Sequence, residues 1–136
     1  MAFQLKMPAT LGSVQIDKGL MRIAINNLLT NAIKYNTPDG QVVLQVEEND
    51  EEYQIRVNDN GVGISTDDMQ HIFEKFYRSE STAVRERNGH GLGLALSQDI
   101  IALHHGKISV ESVEGEGSSF IIVLNKKSIA SNEVMQ

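Results

Sequence analysis

Asp59-Asn60-Gly61-Val62-Gly63-Ile64 follows directly on a run that alternates as a strand does, Tyr53-Gln54-Ile55-Arg56-Val57-Asn58. Strand side chains point to opposite faces in turn, so Tyr53, Ile55 and Val57 share one face. Asp59 has the same parity, which aims a carboxylate where the core is expected. A carboxylate there needs hydrogen-bond donors, because an unpaired buried charge is costly. The two glycines behind it let the chain turn and let another molecule approach its backbone. Two readings follow. One is a pocket floor whose acid awaits a donor from a ligand. The other is a plain hairpin, since Asp-Asn-Gly is also turn chemistry.

Upstream, Val42, Leu44 and Val46 alternate as a second strand. The acidic run Glu47-Glu48-Asn49-Asp50-Glu51-Glu52 reads as a solvated turn joining the two into a hairpin. Before them, Asp17 stands where a helix N-cap belongs. From Lys18 to Tyr35 the residues Met21, Ala24, Ile25, Leu28, Leu29, Ala32 and Ile33 recur at helical spacing. Asn27, Asn31, Lys34 and Tyr35 lie three and four apart on an adjoining stripe. Asparagine is a poor helix-interior residue, so two of them one turn apart cost propensity. Their amide oxygens suit a hard cation and the lysine a phosphate; the other reading is a solvated helix face. Asn36-Thr37-Pro38-Asp39-Gly40 stops the helix. Leu11 to Ile16 reads as a short edge strand, and residues 1–9 carry no clear pattern.

Downstream, Ser65-Thr66-Asp67-Asp68 resembles a capping box, with Asp68 in place of the usual Glu. It opens a short helix carrying Met69, Ile72, Phe73 and Phe76, which Tyr77-Arg78 ends. A mostly polar stretch then runs into Gly89-His90-Gly91-Leu92-Gly93-Leu94 and a helix to about His105. These glycines are neither a dinucleotide fingerprint, which needs a strand just before them, nor a phosphate loop of the Gly-Lys-Ser/Thr type. They suit backbone N–H groups offered to phosphates at a helix start, or a flexible hinge. Gly106 is expected at the C′ position of that helix. Lys107 to Val113 and Ser118 to Leu124 read as strands around the turn Glu114-Gly115-Glu116-Gly117. The second is apolar on both faces, which places it inside a sheet.

The chain has 136 residues, 40% of them hydrophobic, no cysteine and a net charge of -6. That suits one domain with a core of its own. It excludes disulfides and thiolate metal sites, and it argues against nonspecific nucleic-acid or anionic-membrane binding. No run is apolar enough to cross a bilayer. The core is expected over about 10–125, with 126–136 a frayed tail. His71, His90, His104 and His105 lack metal spacing, and no Ser/His/Asp grouping suggests a hydrolase.

Taken in order, five stretches are more specific than any one. Asn27-Leu28-Leu29-Thr30-Asn31-Ala32-Ile33-Lys34-Tyr35 resembles the N box of bacterial sensor histidine kinases, and Asp59 to Ile64 resembles their G1 box. Phe73-Glu74-Lys75-Phe76-Tyr77-Arg78 is similar to the F box, and Gly89 to Leu96 to the G2 box. Gly115 to Phe120 is similar to the final glycine box. The resemblance covers about Val14 to Leu124. It implies the Bergerat ATP-binding fold shared with gyrase B, Hsp90 and mismatch-repair ATPases. That fold is an α/β (α+β) two-layer sandwich: a mixed, mainly antiparallel sheet covered on one face by three helices, with a mobile lid.

The resemblance also implies roles. Asn31 would give an amide oxygen to Mg²⁺, with Asn27 supporting the phosphate side. Lys34 would meet the phosphates of ATP, and Tyr35 the ribose or adenine. Asp59 would accept from the adenine 6-amino group, with Gly61 and Gly63, and Ile64 beside them, admitting the base. Arg78 would reach the γ-phosphate. Gly89, Gly91 and Gly93, with Leu92 among them, would hinge the lid and wrap the triphosphate. Phe73 and Phe76 would anchor the lid by packing. Ser118 or Ser119 would close the adenine pocket. The chain departs from a whole kinase in lacking the helical dimerisation segment with its phospho-accepting histidine. It is therefore expected to be the catalytic half, monomeric alone and cytoplasmic. Its partners would be that helical domain, which Phe76, Tyr77 and Leu92 are candidates to dock, and a downstream response regulator. Alternatives of the same fold are a serine kinase of the anti-sigma-factor kind and a nucleotide-gated docking module.

Overall fold

The computed structural model describes residues 1–8, 16–77 and 93–126. At its centre runs the Asp59 strand, β3 (Glu52–Asp59), flanked by antiparallel β2 (Gln41–Glu48) and β5 (Gly117–Asn125). The outer strands are β1 (Ala2–Lys6), parallel to β2, and β4 (Lys107–Val113), antiparallel to β5, giving the order β1-β2-β3-β5-β4. The described helices are α1 (Lys18–Lys34), α2 (Thr66–Met69) and α3 (Gly93–Leu103). This is the mixed, mainly antiparallel sheet under three helices that the motifs imply. The chain after Asp59 leads to α2 rather than back as a neighbouring strand, so the hairpin reading of Asp-Asn-Gly is set aside.

The core lies between one sheet face and α1 and α3. Tyr53 and Val57 of β3, Phe120, Ile122 and Leu124 of β5, and Val42 of β2 meet Met21, Ala24, Leu28 and Ala32 of α1 and Ile100 and Ile101 of α3. These helix positions recur at three and four residues, so one stripe of each helix is apolar. Ser97 crosses between the helices, its hydroxyl donating to the Ala24 carbonyl at 3.0 Å. The opposite sheet face is largely polar, with Arg56 Nε donating to Gln54 at 3.2 Å. Ile121 is nonetheless buried on that face, which accounts for the two-sided apolar reading of β5 and its internal place.

Both predicted caps form. The Asp17 carboxylate accepts from Leu20 N–H at 2.9 Å, and Ser65 Oγ from Asp68 N–H at 3.1 Å. Three expectations are corrected, and a fourth, the second below, lies almost wholly outside the described residues. The first is β1, which alternates Phe3-Gln4-Leu5-Lys6 but leaves every residue exposed; burial is not what marks it, so the sheet begins at Ala2. Second, most of the Leu11–Ile16 strand lies outside the described residues, and Ile16 precedes the helix cap without strand structure. Third, the helix after Ser65 stops at Met69 and continues as turns: the Gln70 and His71 N–H groups bond three residues back, to the Asp67 and Asp68 carbonyls, and Phe76 further on takes a left-handed φ of 66°. Fourth, the left-handed residue closing α3 is His105, at φ 59°, and not Gly106. The N–H groups of His105 and Gly106 reach the Ala102 and Ile101 carbonyls at 3.0 Å each, the paired bonds of a Schellman motif. That pattern puts C′ one residue earlier.

His105→Gly is accordingly expected to stabilise the fold by about 1 kcal/mol, since only glycine occupies this backbone region without strain. Urea unfolding of the two proteins checks it: the midpoint rises with an unchanged slope.

Candidate functional site

Asp59 closes β3 opposite Val42 on one side and Ser118 on the other. Parity places its side chain and that of Ser118 on the helix-covered face. Gly61 N–H donates to Asp59 Oδ1 at 2.9 Å. Burial raises the Asp59 pKa above the ordinary carboxylate value; the N–H groups of Gly61 and Ser118 pull it down without cancelling the shift. The carboxylate thus sits desolvated beyond what its own chain offsets.

The loop behind Asp59 is clamped on both sides. Val62 N–H donates to the carbonyl of Tyr35, the C-cap of α1, at 2.9 Å, and Gly115 N–H donates to the Val62 carbonyl at 2.7 Å. Ile64 N–H donates to Ser112 Oγ at 2.8 Å. These approaches explain the glycines. A Cβ on Gly61 would stand 2.2 Å from the Tyr35 carbonyl oxygen; one on Gly63, at φ 71°, would stand 2.2 Å from that of Val113. Both glycines are required first by the chain's own backbone. Asn60 adds a lateral tie, its Oδ1 accepting from Gln41 N–H at 2.7 Å and from Asn36 Nδ2 at 3.2 Å. Asn36, only 6% exposed, also donates to the Gln41 carbonyl at 3.1 Å.

These ties seat the end of α1 against the Asp59 loop. One turn before Tyr35 lies Asn31 and another turn back Asn27, both half-buried, with Lys34 exposed at the last helical position. At the far end of that stripe Asn27 Nδ2 donates to the Gly93 carbonyl at 3.1 Å. The bond fixes the amide and leaves its oxygen as an acceptor. The stripe therefore faces the start of α3, where the glycine-rich stretch enters. From residue 27 to residue 35 the helix rises about 12 Å, which is the distance between the two ends of the site.

The structure brings together Tyr35, Asp59, Gly61, Gly63, Ile64 and Ser118 at one end and Asn27 and Gly93 at the other, with Asn31 and Lys34 between. Ser119 stands apart: its hydroxyl is on the polar face and donates to Asn58 Oδ1 at 2.6 Å. Arg78, Gly89, Gly91 and Leu92 lie outside the described residues. Phe73 packs edge-on against Phe120 at 6.3 Å between ring centroids. Phe76 does not; it is 69% exposed, because its left-handed backbone breaks the helical spacing that would turn it inward. Tyr77 ties that segment back, donating to the buried Asp68 carboxylate at 2.5 Å and stacking on His71. Sequence reasoning missed Asn36, Asn60 and Ser112. Asparagine and serine are common in turns and at strand ends, so nothing in their local sequence separated these from ordinary loop residues.

Comparison with known proteins is consistent with this geometry. Residues 16–128 match the family described as histidine kinase-, DNA gyrase B- and HSP90-like ATPases. The sensor protein kinase WalK of Staphylococcus saprophyticus is 39% identical over 124 residues, covering 90% of this chain and 20% of that protein. The chain thus spans about a fifth of such a relative. A mycobacterial sensor histidine kinase, MprB, superposes with a TM-score of 0.80 at 29% identity, over 91% of this chain and 82% of that one. Full-length ShkA, solved in complex with AMPPNP, superposes at 0.76 with 27% identity, over 90% of this chain and 25% of that one.

The raised Asp59 pKa has a thermodynamic consequence. The folded state holds this proton more tightly than the unfolded chain. Its contribution to stability is therefore complete below the unfolded value of about 3.8 and is lost as pH rises through the raised folded value. In Asp59→Asn that loss is absent, while the Gly61 N–H keeps an oxygen acceptor. The ligand-free variant is expected to be more stable than the parent at pH 7, with a flatter profile above pH 4. Denaturant midpoints across pH 3–8 for both proteins test this.

Proposed function

The chain belongs to the family of histidine kinase-, DNA gyrase B- and HSP90-like ATPases and is an ATP-binding domain of the histidine-kinase type; from that premise we propose that it positions Mg·ATP for γ-phosphoryl transfer to a histidine on a separate helical domain. The observation that carries the reading is the half-buried Asp59 carboxylate at the floor of the site, whose pKa burial raises and whose charged form a further hydrogen-bond donor would stabilise. The exocyclic amine of adenine is such a donor. Ser118, on the same face, stands beside it; Ser119 faces away and is left out of the pocket.

The rest of the nucleotide runs along the asparagine stripe. Tyr35 lies toward the ribose and base, Lys34 toward the phosphates, and Asn27 supports the phosphate side from its tie to Gly93. Asn31 is the residue that would hold Mg²⁺: its half-buried amide oxygen is a hard neutral donor of the kind this ion takes alongside phosphate oxygens. The ion supplies charge neutralisation on the triphosphate. Gly89, Gly91, Leu92 and Gly93 would offer backbone N–H groups at the start of α3, where the helix dipole favours anions. Arg78 would balance charge on the γ-phosphoryl group as it moves. In the transfer the γ-phosphorus bond to the bridging oxygen breaks, an imidazole nitrogen bonds to that phosphorus, and ADP leaves. Such chemistry rests on positioning and electrostatics.

The acceptor histidine, the dimerisation domain carrying it and the response regulator that receives the phosphoryl group belong to the parent protein in this reading. The domain itself would span about 10–125 together with the β1 strand, with 126–136 a tail, and would be monomeric and cytoplasmic. Among the described residues no helix is long and apolar enough to cross a membrane. Phe76, exposed beside Tyr77, is the described part of the surface offered to the helical domain.

Calorimetric titration with ATP and ADP, with and without Mg²⁺, tests the pocket. Asp59→Ala is expected to weaken binding by roughly 30-fold or more, the loss of a hydrogen bond to a charged group. Asn31→Ala is expected to abolish the Mg²⁺ dependence while sparing metal-free binding. With a histidine-bearing helical domain supplied, label from γ-labelled ATP should be acid-labile and base-stable. An acid-stable product would mark a serine kinase instead.

A further inference from the structure

Ser112 of β4 lies opposite Ser118 in the sheet, and its hydroxyl makes three hydrogen bonds. Its Oγ accepts from Ile64 N–H at 2.8 Å, contacts the Gly117 carbonyl oxygen at 2.8 Å and lies 2.9 Å from Ser118 Oγ. A serine hydroxyl has one proton and two lone pairs. A carbonyl oxygen cannot donate, so the Gly117 contact consumes the only proton of Ser112. One lone pair is taken by Ile64 N–H. The remaining lone pair can be matched only by the proton of Ser118. Ser118 must therefore donate to Ser112, and its own oxygen is left with acceptor capacity alone.

We propose that Ser112 is a specificity-determining positioning residue, which fixes the Ser118 hydroxyl as an acceptor and so makes this end of the nucleotide site select a base edge that donates. The inference rests on the ATP-binding reading above. Asp59 and Ser118 are cross-strand partners on one face, and Ser118 is 8% exposed. With both accepting, an amino-bearing purine finds partners directly or through a bridging water. A purine with a carbonyl in place of that amine, as guanine has at C6, sets an acceptor against acceptors at that position. A site that leaves such groups unpaired rejects the wrong substrate more strongly than any fit of shape. Ser112 need not touch the base: its effect on the choice of base passes through Ser118, while the bond from Ile64 N–H holds the glycine loop in register for any nucleotide.

The test is displacement of a fluorescent adenine nucleotide from this chain by ATP and by GTP, read as the ratio of the two displacement constants. In Ser112→Ala the Ser118 proton is freed to turn toward the base, and the preference for ATP should narrow by about tenfold, one hydrogen bond's worth of discrimination. Ser112→Thr keeps the hydroxyl and should keep the parent ratio. In a Ser118→Ala background, Ser112→Ala should leave the ratio where Ser118→Ala alone puts it, since the effect has no other route. A purely structural role would weaken both nucleotides alike; an unchanged ratio in folded Ser112→Ala, or a narrowed one in Ser112→Thr, overturns the proposal. Should Ser112→Ala not fold, Ser112→Cys, a weaker donor and acceptor, must show a partial narrowing, and its absence overturns the proposal equally. Asp59→Ala separates the two levels. If the parent binds ATP and Asp59→Ala does not, a failed Ser112 series sinks this inference alone. If the parent binds no nucleotide, the reading of the site fails and this inference with it.

Discussion

A desolvated carboxylate at the end of the central strand is the constraint on which the site depends. Strand parity sends Asp59 to the same face as Tyr53 and Val57, and sheet pairing on both sides holds it there. Burial raises its pKa, and the N–H groups of Gly61 and Ser118 work against that shift without cancelling it. The protein carries that cost in the ligand-free state. Such a cost is tolerable where a ligand relieves it, and it makes binding depend on the chemistry of one group rather than on area.

Around that carboxylate the backbone is braced rather than loose. The Tyr35 carbonyl takes the Val62 N–H, the Val62 carbonyl takes the Gly115 N–H, and the Ser112 hydroxyl takes the Ile64 N–H. Three separate segments thereby converge on one short loop: the end of α1, the β4–β5 turn and β4 itself. Asn36 and Asn60 add a fourth tie, to the start of β2. A pocket that discriminates by hydrogen bonding must hold its acceptors still, because a displaced acceptor no longer rejects the wrong partner. The glycines serve this bracing, since any side chain at Gly61 would separate the loop from α1.

The two ends of the site are built differently. The Asp59 end is sheet and tight loop, and its hydrogen bonds close among themselves. At the other end the bond from Asn27 to Gly93 joins α1 to the start of α3. The asparagine stripe connects them across about 12 Å of helix. The apolar face of the same helix packs on the sheet through Met21, Ala24, Leu28 and Ala32, so the core fixes the rotation of α1 and with it the direction of the stripe.

Much of this was legible before any coordinates. Period two in residues 53–59 gave both the strand and the awkward carboxylate. Period 3.6 in α1 separated an apolar stripe from a polar one, and the caps at Asp17 and Ser65 followed from side-chain chemistry. Those are local properties, set by backbone geometry over a few residues, and a single chain carries them in full. What the tertiary structure alone decided are relations between segments distant in sequence. Ser118 and Ser119 are chemically identical neighbours, and only the pairing of β5 with β3 puts one beside Asp59 and the other on the far face. The exposed β1 lies in a stretch that reads as patternless, and only its pairing with β2 makes it a strand. Phe76 had the spacing of a core residue, and the left-handed turn took it out to solvent. Ser112, Asn36 and Asn60 are polar residues of the commonest loop types, and their importance comes from partners 48, 5 and 19 positions away. Local periodicity therefore determined the elements and the residue types of the site, whereas strand pairing and helix packing decided which of those residues meet, because hydrogen bonds between distant segments exist only once the chain has closed on itself.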